Sequence, residues 1–363
     1  MSHPAKPTNP AIGRSTDDTQ TWAMFLLLSA IWGSSFLFIK TALGDGVPPL
    51  TLVSLRAVFG SLFLGLVMLA WGQRLPRGRE VWVRLAFLGL VNIVVPFTLI
   101  SWGQQYLPTG LAAVINAMVP LFTIVLASLV LHDEAITPAR LGGLVIGFSG
   151  VVLLAMPKLS AAEADEEALL ALLGMLAVAA ATLFYAIAGV FTRRQLNRRA
   201  IVRAADGSLR PPTPLETALG SSLVAGLVAT TLAVVIERPP EGLLAVPASG
   251  EGWLAVLWLG VLGTGLAYLL HFRILERWGP TRASLVTYVI PLVAVTLGFV
   301  VLGEWLDPLE LVGAALIIGG VVLVNGSVGQ RPLFGRSVRA AATREAAAQE
   351  AATREAATSR AEP

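Results

Sequence analysis

The chain has 363 residues, a length that in a soluble protein would suggest two domains. Apolar residues make up 55% of it and charged residues 13%, about half of the roughly 25% usual in soluble chains, which excludes a water-soluble enzyme or a disordered scaffold. The net charge of +3 is scattered between apolar blocks, unlike a nucleic-acid-binding patch. With no cysteine and only His3, His132 and His271, no metal or cofactor is expected.

Residues 1–21 are polar and read as a disordered cytoplasmic arm. The apolar run after them is too long for a signal-peptide core and lacks a clear cleavage site, so it is expected to stay. Apolar blocks then recur near 22–42, 50–71, 83–103, 109–131, 138–156, 168–192, 215–236, 252–272, 281–302 and 309–326. Each approaches the roughly 20 residues with which a helix crosses a bilayer. Backbone groups in lipid must bond internally, so the expected fold is all-α, a polytopic protein of ten transmembrane helices. From 327 the composition turns to Ala, Glu and Arg, with AATREAA at 341–347 repeated at 351–357, a solvated tail with no apolar stripe.

Charge fixes the orientation. With the N-terminus inside, 22 of the 26 basic residues fall in cytoplasmic segments and two, Lys158 and Arg238, fall outside. One missed span would invert every later loop, so both termini are expected in the cytoplasm.

The two halves overlay at a shift of 171, which places Phe97 on Tyr268, Ala112 on Ala283, Asn116 on Thr287 and Pro120-Leu121 on Pro291-Leu292. After a slip to 170, Glu134 meets Glu304, Gly143 meets Gly313, and the Gly-Val-Val-Leu at 150 meets the one at 320. Five helices per unit is odd, so the second copy is inverted, an arrangement that in transporters holds the substrate site where the halves meet. The expected organisation is an arm at 1–21, a first repeat at 22–156, an external linker at 157–167, a second repeat at 168–326 and a cytoplasmic tail at 327–363.

Pro96, Pro120 and Pro291 each free the carbonyl four residues earlier, at Asn92, Asn116 and Thr287. Polar groups at that depth must face protein or water, so these positions read as a hinged cavity wall or as the re-satisfaction of kinked backbone. Ionisable residues within spans are functional candidates. Arg56 lies about 9 Å into span two at about 1.5 Å per residue and can grip a carboxylate with two parallel bonds. The competing reading is an ion pair, with Asp45 or Glu304 as partner, or a helix-end contact. Lys40 either joins the substrate site or snorkels to the interface. Glu134 and Glu304 either stabilise one access state or are simply solvated. Tyr185, Tyr268 and Tyr288 sit deep enough that their hydroxyls need partners. No Asp or Glu lies deep in a span, which argues for facilitated export or an unobvious coupling group. GxSxG, HExxH, P-loop and GxGxxG signatures are missing, so no enzyme is expected.

Trp32-Gly33-Ser34-Ser35-Phe36 followed by Lys40, Pro48-Pro49 followed by Arg56, and the duplicated Pro-Leu, Leu…Glu and Gly-Val-Val-Leu elements resemble the EamA family of the drug/metabolite transporter superfamily. The resemblance spans about 22–326. It implies a 5+5 inverted fold, a central cavity, alternating access, and export of metabolites, often amino acids or related compounds, from a bacterial inner membrane. It also marks Lys40, Arg56, Pro120, Glu134, Pro291 and Glu304 as family-pattern positions. The small multidrug relatives couple protons through an acidic residue in the first helix, which is missing here, so that mechanism is not carried over. The expected partners are a small-molecule substrate and the bilayer, without nucleic acid, and monomer and homodimer both stay open. The expected function is export of small metabolites, amino acids or related carboxylates. Export of hydrophobic drugs or lipid-linked compounds, and a non-transporting sensor or assembly subunit, are the alternatives.

Overall fold

The computed structural model describes residues 15–130, 137–161, 165–197, 199–203, 207–238, 242, 244–283 and 285–325. The first apolar block forms α1 (Ser15–Gly44), and Pro48 then turns the chain into α2 (Pro49–Ala70). Proline is well placed there, because the first turn of a helix has amides with no internal acceptor. Block three is one continuous path with a defect. It consists of α3 (Arg79–Gly89), a π-helical stretch at Leu90–Val94, and α4 (Val95–Gly103). Pro96 lies just past the π stretch, where its missing amide is tolerated.

Block four is broken into α5 (Thr109–Asn116) and α6 (Val119–Val130), with Ala117 and Met118 as a turn before Pro120. Then come α7 (Pro138–Ala161) and α8 (Glu166–Phe191), the latter continued by a π turn at Thr192–Leu196. A two-stranded antiparallel ribbon, β1 (Val202–Arg203) on β2 (Leu209–Arg210), leads into α9 (Pro214–Leu232). Thr213 and Glu216 form a capping box at its start, and Arg210 adds a two-pronged pair to Glu216 at 2.7 and 2.8 Å. That carboxylate holds the Arg210 guanidinium above its usual range. Block eight is α10 (Gly250–Leu257), a long π stretch at Trp258–Leu266, and α11 (Ala267–Ala283). The chain closes with α12 (Val286–Leu302) and α13 (Pro308–Asn325).

Among the described residues, nine helical paths are long and apolar enough to cross a membrane, and α12, at 17 residues, is a shorter apolar helix. Many large apolar side chains point outward from these helices, Leu66, Leu69, Leu227 and Val300 among them. Such a belt is costly in water and suited to lipid. The fold is that of a polytopic membrane protein.

Close packing depends on small residues. A side chain at Gly143 would put its Cβ 2.6 Å from the Gly320 carbonyl oxygen, and one at Gly150 would meet the Gly313 carbonyl oxygen at 2.7 Å. Hence α7 and α13 touch backbone to backbone. The two pairs interchange when each residue is replaced by its equivalent 170 positions away. The π stretches behave alike, since Leu90–Val94 shifted by 171 falls inside Trp258–Leu266.

Candidate functional site

Where α1, α2, α8 and the helical paths of blocks three, four, eight and nine converge, they enclose a cavity of about 320 Å³. Its wall follows the internal repeat. Asn92 and Gly263, Phe97 and Tyr268, Ile100 and His271, Asn116 and Thr287, and Val119 and Ile290 all line it, and each pair is separated by 171 positions. Trp32, Ser35, Phe36 and Ile39 of α1, Arg56 of α2 and Tyr185 of α8 complete most of the wall.

Among the described residues Arg56 is the only Lys or Arg that lines the cavity, and it is 6% exposed. Its Nε donates to Thr264 Oγ1 at 3.0 Å, and its guanidinium carbon lies 3.9 Å from the centre of the Phe97 ring. The π stretch makes this possible, because Thr264 Oγ1 also donates to the carbonyl of Leu259, five residues back. The stretch also crosses α2 closely at Gly60, where a Cβ would lie 2.9 Å from Thr264 Cγ2. Among the described residues no carboxylate pairs with Arg56. Asp45 and Glu304, the partners considered from the sequence, are held elsewhere. Asp45 accepts from the Ser249 amide at 3.0 Å, and Glu304 accepts from the Thr109 amide at 2.7 Å and its hydroxyl at 3.2 Å.

The other sequence candidates divide by place. Asn92 donates to the Tyr268 hydroxyl at 2.8 Å, and both line the cavity. Tyr185 lines it next to Phe97, with ring centres 6.3 Å apart. Asn116 and Thr287 line it as well, and Asn116 Oδ1 is buried without a partner. Lys40 and Tyr288 do not. The Lys40 ammonium donates to the carbonyls of Gln104 and Leu107 at 2.8 and 3.0 Å, the turn that links α4 to α5. The Tyr288 hydroxyl donates to the Val321 carbonyl and accepts from Asn325, tying α12 to α13.

Of the hinge and gate candidates, Pro120 follows a real break in its helix, whereas Pro291 stays inside an unbroken α12 and Pro96 follows the π stretch. Glu304 caps the first turn of α5 from beyond the C-terminal end of α12, where Gly303 takes a positive φ of 67°. Lys40 and Glu304 therefore grip opposite ends of the same 104–109 segment. Glu134, its repeat equivalent, lies outside the described residues.

Sequence reasoning did not select Trp32, Ser35, Phe97 or His271 as site residues. The Trp32 indole donates to the Gly263 carbonyl, which belongs to a π stretch, at 3.2 Å, and its ring packs 5.3 Å from that of His271. The repeat itself holds the signal for His271, an ionisable residue where the first copy has Ile100.

A polytopic helical bundle with a buried, partly polar cavity at the meeting of two repeats has the architecture of a membrane transporter. The chain belongs to the EamA-like transporter family, whose model matches residues 20–156 and again 172–326. It is 28% identical over 308 residues to the probable terminal-alkyne amino-acid exporter of Streptantibioticus cattleyicolor, covering 84% of this chain and 92% of that one. It is also 28% identical over 295 residues to Protein PecM of Dickeya dadantii, covering 81% and 89%. The uncharacterized inner membrane transporter YedA of Escherichia coli K12 is 28% identical over 306 residues, covering 84% and 89%. A crystal structure with 21% identity covers 86% of this chain and 99% of its own, at a TM-score of 0.57, and shares the fold.

Proposed function

We propose that this protein exports small metabolites bearing a carboxylate, amino acids or related compounds, and that the cavity is their binding site. The carrying observation is Arg56, a buried guanidinium in the cavity wall with no carboxylate partner among the described residues. A buried charge without its counter-charge is costly, and a ligand carboxylate supplies one by charge-assisted bonds. Asn92, Asn116, Thr287, Tyr185 and Tyr268 offer polar contacts around it. Phe36, Ile39, Phe97, Ile100 and Ile290 form an apolar surround for the rest of the molecule. The relative named an amino-acid exporter supports this substrate class.

In this reading α12 crosses the membrane as a tenth span, the two five-helix units are inverted, and both termini are cytoplasmic. The interchange of the Gly143–Gly320 and Gly150–Gly313 pairs, and the five cavity-lining pairs 171 apart, support the inverted arrangement. The end that carries Asp45, Lys40 and Glu304 then faces outside. It is closed over the cavity by the two grips on the 104–109 segment, and opening it requires their release.

The test is efflux. Liposomes containing the protein are loaded with a mixture of amino acids, keto acids and hydroxy acids, and mass spectrometry reports what leaves. The expected result is protein-dependent loss of carboxylates, reduced in Arg56→Gln at equal protein content. Loss of uncharged lipophilic compounds alone would contradict the reading.

A further inference from the structure

We propose that His271 is a proton-binding site linked to the anion site at Arg56, so that a substrate carboxylate and a proton occupy the cavity together and cross together. The inference rests on the carboxylate reading of Arg56. It adds the coupling ion, its site and the sign of coupling.

His271 lies on α11 and lines the cavity, and its Nδ1 is buried with no hydrogen-bond partner. With no protein group committed to that nitrogen it is open to a proton, and a proton there becomes favourable once an anion shares the cavity as its acceptor and counter-charge. Among the described residues no neighbouring carboxylate neutralises such a proton. The adjoining π stretch at 258–266 carries no ionisable residue. On α1, Lys40 is held by two backbone carbonyls, and on α9, Glu216 is held by Arg210. On α11 itself, Tyr268 lies one turn before His271, Arg273 stands over the Trp71 ring and Arg277 donates to Gln20, while Arg56 and Tyr185 line the same cavity from α2 and α8. Among the described residues the cavity wall therefore presents one permanent cation, one imidazole and no acid.

Arg56 and His271 are joined through Trp32. A Cβ at Gly263 would lie 3.5 Å from an Arg56 terminal nitrogen, the Gly263 carbonyl accepts from the Trp32 indole, and the Trp32 ring packs on His271. In an empty cavity burial disfavours a second positive charge at His271, the Arg56 charge in the same wall adds to that cost, and His271 stays neutral. When a carboxylate enters it neutralises Arg56 and offers a counter-charge and acceptor to an imidazolium, and Nδ1 can take a proton. Anion and proton then favour each other, and by linkage the preference is reciprocal. The proton comes from the aqueous phase to which the cavity is open and leaves on the other side with the substrate, so a monoanion and its proton move without net charge. Export is driven by the substrate's own gradient, with no acid in the cavity wall to set protons against it. A zwitterion carries its own compensating cation and gives His271 less reason to charge.

A matched pair tests this, 4-methyl-2-oxopentanoate and L-leucine, which share a carboxylate and an apolar body and differ at the amine. Binding to the full-length protein in lipid nanodiscs is measured by titration calorimetry in two buffers of different ionisation enthalpy, which counts protons taken up. The expected result is keto-acid binding that tightens several-fold from pH 8 to pH 6, with proton uptake largest near pH 6, close to the ordinary imidazole value of about 6.5. His271→Gln should lose both the uptake and the pH dependence, and leucine should bring smaller uptake. Imidazole nuclear magnetic resonance of the wild-type protein gives a second readout independent of the variant, because only three histidines are present. One of them should move to its charged form when the keto acid is added.

Affinity independent of pH, proton release on binding, equal uptake with both probes, or unchanged uptake in His271→Gln would overturn the inference. Binding and proton uptake that survive in Arg56→Gln would overturn the link to Arg56. Absence of saturable binding by either probe would fail the carboxylate reading itself, and the inference with it.

Discussion

Arg56 shows how one side chain sets the chemistry of the cavity. Its Nε is engaged by Thr264 and its face by Phe97, which fixes the plane of the guanidinium, and in the proposed function its remaining donors meet the substrate carboxylate. Hydrogen bonds to a charged group contribute about 1.5–3 kcal/mol, so Arg56→Gln is expected to weaken substrate binding by roughly ten- to a hundred-fold. Arg56→Lys should recover only part of this, because an ammonium keeps the charge and loses the fork. Equilibrium binding in nanodiscs checks both. Glu304 acts at the same scale. Glu304→Ala removes two bonds from Thr109 and frees the start of α5, so the Asp45 end of the cavity should open more often. The natural chain has no cysteine, so a single cysteine at Ile39 reports on this alone. Its labelling by a polar thiol reagent should quicken several-fold in the Glu304→Ala background.

Much of this site was legible as residues. Deep polar groups in apolar helices have few places to go, and that logic selected Arg56, Asn92, Asn116, Tyr185, Tyr268 and Thr287, all of which line the cavity. It could not separate them from Lys40 and Tyr288, whose polar tips satisfy backbone carbonyls instead, because that depends on where a neighbouring helix ends. Trp32 carries no such signal, because nothing in the sequence shows that its indole meets a carbonyl of a π stretch.

Elements carry the asymmetry between the two halves. Pro120 and Pro291 occupy equivalent positions, yet the first half breaks at Ala117–Met118 while α12 runs through its proline. A proline weakens a helix without dictating its path, and packing decides which copy bends. The account expects the broken copy to be the more mobile, so Pro120→Ala should heal the helix and slow efflux by more than Pro291→Ala does, measured at equal protein content in liposomes. Most helical boundaries are readable from apolar block length to within a few residues, but α1 starts seven residues before its block, at Ser15, and α11 runs eleven past block eight, to Ala283. The π stretches are not readable, because they arise from local register shifts that leave hydropathy unchanged. Contact between α7 and α13 is half legible, since the repeat aligns Gly143 with Gly313 and Gly150 with Gly320 but does not say that Gly143 faces Gly320. Gly143→Val forces a side chain against that carbonyl, an overpacking that costs about 1–3 kcal/mol, and thermal unfolding in detergent should occur several degrees lower. Gly65→Ala, which meets nothing within 4 Å, should leave it unchanged.

For the molecule as a whole, composition and charge distribution carried most of the information. An outward belt of apolar side chains and arginine-rich loops together describe a chain built to sit in lipid. One loop contact bears on its pH range. The Ser249 amide holds the Asp45 carboxyl below the usual carboxylate range. A carboxyl lowered on folding stabilises the fold above its unfolded value and loses that contribution as pH falls through the lower folded value. The Asp45–Ser249 contact should therefore be intact at neutral pH and loosen only below about pH 4, which hydrogen exchange at the Ser249 amide can follow. The tail at 327–363 lies outside the described residues, and removing it should leave efflux intact. A protein that signalled through its tail would lose its output instead.

The central claim is that a carboxylate crosses this membrane protein by way of Arg56. The most direct measurement compares efflux of one carboxylate and of its uncharged primary amide from liposomes bearing wild-type protein or Arg56→Gln. The account predicts that wild-type protein moves the carboxylate at least tenfold faster than the amide and that Arg56→Gln removes the difference. Equal rates for acid and amide in the wild type, or an undiminished preference in Arg56→Gln, would contradict it.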